Sequence, residues 1–95
     1  MARSDFGEHT NITSAATTVV RLGPGALIGV IVNKAVASGT ITIYDNVEAS
    51  GTKIATITYP ATLLNNHGVF PYFVQLTNGC TIVTDQAFDL TVVWK

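Results

Sequence analysis

The chain has 95 residues with five basic and six acidic side chains, a net charge of −1. That length makes one domain, burying roughly two-thirds of the unfolded surface on folding, with no room for a second core. Charged residues make up only 12%, and Arg3, Arg21, Lys34, Lys53 and Lys95 are scattered, which excludes the basic stripe that a phosphate backbone requires; no nucleic-acid partner is expected.

Residues 1–16 are polar and aperiodic and read as an N-terminal arm. It carries Arg3, Asp5, Glu8 and His9, with Phe6 as its only large aromatic. Residues 17–95 read as a single β-domain. Thr17 to Leu22 is a first strand, stopped by the turn Gly23-Pro24-Gly25. Ala26 to Asn33 follows, apolar on both faces, so it is either central in a packed sheet or covered by a partner. Gly29 within it marks a bulge or the close approach of another backbone.

Thr40 to Asp45 and Thr52 to Tyr59 alternate β-branched apolar residues with threonine. That is the pattern of strands with one buried face and one face tolerant of water. Threonine in place of Lys or Glu gives an outer surface with few charges, easily covered by another protein. Pro60 ends the fourth strand. Val69 to Leu76 is a fifth, and Pro71 places it at an edge or bulge. Asn78-Gly79 is a strong two-residue turn signal, leading into Cys80 to Thr84. In the last strand, Phe88 to Lys95, residues Phe88, Leu90, Val92 and Trp94 share one face and are expected in the core with Ile41 and Ile43. No window has a capped 3.6-residue apolar period. About seven to eight short strands joined by turn chemistry predict an antiparallel two-sheet β-sandwich, jelly-roll-like, with an immunoglobulin-like sandwich as the alternative.

The residue types that carry chemistry are dispersed. His9 and His67 lie at no metal-ligand spacing from a second His or Cys, and His67 sits in the turn-forming run Asn65-Asn66-His67-Gly68. Asp45, Glu48, Asp85 and Asp89 fall at strand ends or turns, where carboxylates cap bends. Cys80 is the only cysteine, so it forms no intramolecular disulfide and is expected to be a buried, inert thiol. Gly23-Pro24-Gly25 has no Lys-Ser/Thr after it and is no phosphate loop. Asn11-Ile12-Thr13 matches a glycosylation sequon by chance. Tyr44, on the threonine side of its strand, is the aromatic expected to be exposed. No catalytic, cofactor or metal site is expected. The run Ala26 to Val32 is too short to span a bilayer, and Met1 to Asp5 carries no apolar leader.

Three segments carry a resemblance. They are Leu27-Ile28-Gly29-Val30-Ile31-Val32-Asn33; Gly39-Thr40-Ile41-Thr42-Ile43-Tyr44-Asp45 with Gly51-Thr52-Lys53-Ile54-Ala55-Thr56-Ile57; and Gly79-Cys80-Thr81-Ile82-Val83-Thr84 with Asp89-Leu90-Thr91-Val92-Val93-Trp94. From about Thr17 to the end, the chain resembles small virion structural proteins of tailed phages and prophages, of the capsid decoration (cement) type. It departs from that type at Cys80, where leucine is usual, and in Pro71-Tyr72-Phe73. The resemblance implies a β-sandwich that clamps the outside of an icosahedral shell, made in the host cytoplasm and ending on the capsid surface. The expected partners are the major capsid protein and further copies of the chain, as a homotrimer. Arg3, Asp5, Phe6, Glu8, His9 and Tyr44 are the candidate interface residues. The alternative function is a carbohydrate-binding or receptor-binding fibre module, which requires exposed aromatics beside Asn/Asp loops; Tyr44 with Asp45-Asn46 is the nearest fit.

Overall fold

The structure is a computed structural model that describes residues 7–63 and 68–95. These form eight strands: β1 (Glu8–Ile12), β2 (Thr17–Leu22), β3 (Gly25–Lys34), β4 (Thr40–Tyr44), β5 (Lys53–Thr58), β6 (Gly68–Leu76), β7 (Gly79–Thr84) and β8 (Asp89–Trp94). There is no helix among the described residues.

The antiparallel pairings are nested: β1 with β8, β2 with β7, β3 with β6, and β4 with β5. Two more, β3 with β8 and β4 with β7, knit these ribbons into sheets of order β1-β8-β3-β6 and β2-β7-β4-β5. The chain is thus one long hairpin, reversed between β4 and β5 and rolled so that its two layers face each other. That is the eight-stranded jelly roll. In an immunoglobulin-like order the first strand would lie beside the second, whereas β1 here lies beside β8.

The core fills the space between the sheets. Leu27, Val30 and Val32 of β3, Ile41 and Ile43 of β4, Ile82 of β7 and Leu90 and Val92 of β8 are fully buried. Phe88, just before β8, is also fully buried and stacks at a tilt on Tyr59, with ring centroids 5.7 Å apart. Trp94 is only half-buried: it packs against the core from one end of the sandwich while its Nε1 donates to Thr10 Oγ1 at 3.0 Å. The Arg21 guanidinium lies 5.5 Å from its ring centroid, so this aromatic uses its polar edge and one face as well as its apolar area.

Two features differ from the sequence reading. The sandwich begins at Glu8 rather than Thr17, because residues 8–12 of the expected arm form β1. Thr10 and Ile12 lie opposite Val92 and Leu90, and Ile12 enters the core with 4% exposure. A five-residue strand holding one aliphatic residue has no readable period alone; the apolar face of β8 supplies what it lacks. Second, Asn78-Gly79 does turn the chain, but it passes the chain from the β6 sheet to the β7 sheet instead of closing a hairpin. Gly79 has φ +149°, and a Cβ there would lie 2.6 Å from the Arg21 carbonyl oxygen. No other residue fits that approach.

Pro71 lies on β6, which is an edge strand, as its missing N–H demands. Register shifts at Gly29, where an added Cβ would lie 3.0 Å from the Phe70 carbonyl oxygen. The expected bulge and the expected close approach coincide there. Replacing Phe88 by alanine should destabilise the fold by about 3–5 kcal/mol, the range for a fully buried aromatic. Chemical denaturation checks this, and Trp94→Ala should cost less because Trp94 is only partly buried.

Candidate functional site

Asp45, Glu48, Asp85 and Asp89 are each bound into the frame and do not converge. Asp45, at the end of β4, accepts N–H bonds from Thr77, Asn78 and Gly79 on Oδ1 at 3.0, 2.9 and 3.4 Å, so it ties the β6–β7 crossing to the opposite sheet. Burial pulls its pKa up, but the three backbone donors outweigh that and hold the carboxyl below its ordinary value of 3.8. Asn46 is likewise occupied, donating to the Ser50 carbonyl and accepting from the Val47 N–H, both at 2.8 Å. Asp85 accepts the Thr40 N–H at 2.7 Å. Asp89 Oδ1 accepts from Asn11 Nδ2 at 2.8 Å and Asn33 Nδ2 at 3.2 Å. Glu48 accepts from Ser50 Oγ at 3.0 Å. The described residues contain no cluster of three or more His, Cys, Asp or Glu placed to hold a metal ion.

Cys80 is fully buried in the β7 wall of the core. Burial, with a smaller contribution from the Asp45 charge, pushes its thiol up to about 11. At neutral pH it is a protonated, apolar side chain without nucleophilic character.

Of the candidate interface residues, the three described ones, Glu8, His9 and Tyr44, fall in different sheets. Arg3, Asp5 and Phe6 lie outside the described residues, as does His67. Glu8 and His9 are exposed on edge strand β1, opposite Trp94 and Val93. Tyr44 is in the other sheet and only half-exposed. The aromatic presented to water is instead Phe73 on β6, 78% exposed, with Val69 of the same row at 67%.

Two surfaces remain as candidates. The outer face of the β2-β7-β4-β5 sheet is a threonine field: Thr42 pairs with Thr56 and Thr40 with Thr58, and Val83 links Thr42 to Thr17 across β7. Lys53 is the charge at its margin, on β5. The second surface is the outer side of β6. Tyr72 and Phe73 together oppose the single residue Ile28, and within this bulge Phe73 takes φ +51°. A bulky residue in the left-handed region is strained. Beside it runs an open groove of about 620 Å³, lined by Gly25, Ala26 and Ile28 of β3, by Phe73 and Gln75 of β6, and by Lys95. In sequence, both alternating rows of β6 are apolar: Phe70, Tyr72, Val74 and Leu76 on one side, Val69, Pro71 and Phe73 on the other. That doubling signals an exposed apolar row, but only the sheet packing decides which row it is.

No protein-family model, curated protein or solved structure matches this chain. The class it belongs to is set by its pairing order, an eight-stranded jelly-roll sandwich.

Two outcomes follow. Because the folded Asp45 carboxyl titrates below its unfolded value, its contribution is complete above that value and is lost as pH falls through the folded one. Asp45→Ala should therefore lose about 1–2 kcal/mol at neutral pH, with donors of one turn left to water. Its deficit against wild type should shrink below about pH 4, as read by urea denaturation across a pH series. Separately, iodoacetamide should leave Cys80 unmodified in the native protein at pH 8 and alkylate it fully in denaturant, scored by mass spectrometry.

Proposed function

We propose that the chain is a non-enzymatic structural protein of a phage particle, a decoration or cement protein that binds the major capsid protein on the outside of the shell and stabilises it. The observation that supports this most is the threonine field on the β2-β7-β4-β5 sheet. It is a broad, regular surface spanning four strands, with its charge kept to the margin. Such a face can be covered by another protein without stranding buried charges, which are the expensive groups to desolvate. The jelly roll is an architecture used in viral capsid proteins, and the use of Asp45, Asp85 and Asp89 as turn and strand-end hydrogen-bond acceptors suits a part whose work is contact. In this reading the protein acts as a homotrimer on the shell.

A carbohydrate-binding module is the second reading, favoured by Phe73 standing exposed beside Gln75 at a groove, since lectins share the jelly-roll architecture. The Tyr44 loop does not serve it, because Asp45 and Asn46 are already engaged.

The deciding experiment is co-sedimentation with emptied capsids stripped of their decoration. Saturable binding is expected, with heat release of the shell shifted upward. A Thr42→Lys, Thr56→Lys variant should fold normally and lose binding at least tenfold. Absence of saturable binding together with glycan-array signal lost in Phe73→Ala would favour the second reading.

A further inference from the structure

The row Val69, Pro71, Phe73 is the part of the structure that the threonine field leaves unexplained. A residue with a bulky side chain is held at φ +51° and its ring is left 78% in water. Left-handed strain at a non-glycine residue is of order 1–3 kcal/mol and persists only where the surroundings impose it. Here the two-against-one bulge opposite Ile28 imposes it. The same bulge opens the adjoining groove, whose floor and walls are largely apolar, with Gln75 and Lys95 as its polar members.

A protruding aromatic and an apolar recess therefore lie side by side on one copy. We propose that they form the contact between copies of this chain, with Phe73 of one copy seated in the groove of the next. A knob and its receptor on one copy let each chain engage the next head to tail, and such a heterologous contact closes into a ring when the rotation permits. Charge does not oppose the meeting of identical surfaces: the chain's net charge is −1, and the groove has no acidic side chain to repel its own copy. The groove's volume of about 620 Å³ exceeds that of a phenylalanine side chain, leaving room for Val69 or Pro71 to follow. Continuous strand pairing through the β6 edge is ruled out by the missing Pro71 N–H and by the bulge, both of which interrupt the ladder. The contact is thus side-chain packing across the outer surface. It specifies the self-association within the shell reading, yet it needs no shell.

The test is sedimentation velocity of the full chain from about 1 µM to 1 mM, beside Phe73→Gly and Ala26→Glu. Glycine accepts φ +51° without strain, so Phe73→Gly should melt no lower than wild type while associating at least tenfold more weakly. Ala26→Glu places a carboxylate in the groove and should weaken association similarly with Phe73 intact. A wild-type monomer throughout that range, or a Phe73→Gly protein that associates like wild type, overturns the proposal. If the wild type is monomeric but binds capsids in a Phe73-dependent way, the patch belongs to the shell contact instead. Capsid co-sedimentation, read separately through the threonine-face variant, shows whether the shell reading has failed or only this contact.

Discussion

The two sheets share a single layer of aliphatic side chains, and the rest of the molecule is arranged to keep that layer closed. β3, β4, β7 and β8, the inner strands of each sheet, supply most of it, from Leu27 to Val92. With so small a core, neither sheet can hold its buried face without the other, since apolar burial is the dominant favourable term. Nesting the strand pairs is how one chain builds both sheets at once: each ribbon pair is extended, and rolling the ribbon sets the faces against each other. The consequence is that every connection but the β4–β5 turn crosses from one sheet to the other.

Those crossings explain where the charges went. A loop that leaves one sheet for the other exposes backbone N–H groups that no strand can satisfy, and unmet polar groups near a core are costly. Asp45 receives three of them at the β6–β7 crossing, Asp85 receives the Thr40 N–H, and Thr84, buried at the end of β7, donates to the Ser14 carbonyl at 2.9 Å at the β1–β2 crossing. Asp45 and Asp85 therefore work as structural acceptors. The broad faces are left to threonine, valine and isoleucine.

The edges tell a related story. β6 is blunted by Pro71 and by the Tyr72-Phe73 bulge, the devices that keep an edge strand from recruiting another strand. Gly7 lies against Ile28 and Val93, on the same outer side as the groove, where an added Cβ would approach the Ile28 Cδ1 to 2.8 Å. Protection against unspecific pairing and presentation of one aromatic to solvent are thus achieved by the same local distortion.

Several features were legible in the chain itself. Alternation of isoleucine with threonine determines the strand Thr40 to Tyr44, and a two-residue apolar period determines Asp89 to Trp94. Pro71 requires an edge and Gly29 a close backbone approach, because each follows from the covalent geometry of one residue. The burial of Phe88, Leu90 and Val92 follows from a period of two. What only the tertiary structure decided is non-local. β1 is a strand because β8 offers Leu90 and Val92 to Ile12 and Thr10, 78 to 82 residues away by their paired positions. Asn78-Gly79 changes sheets because Asp45, far off in sequence, holds its N–H groups. The exposed row of β6 is exposed because the other row was needed to close the core. Local residue chemistry sets which conformations are allowed; pairing between distant segments selects among them, since burial of a shared face is a property of two sheets and never of one strand.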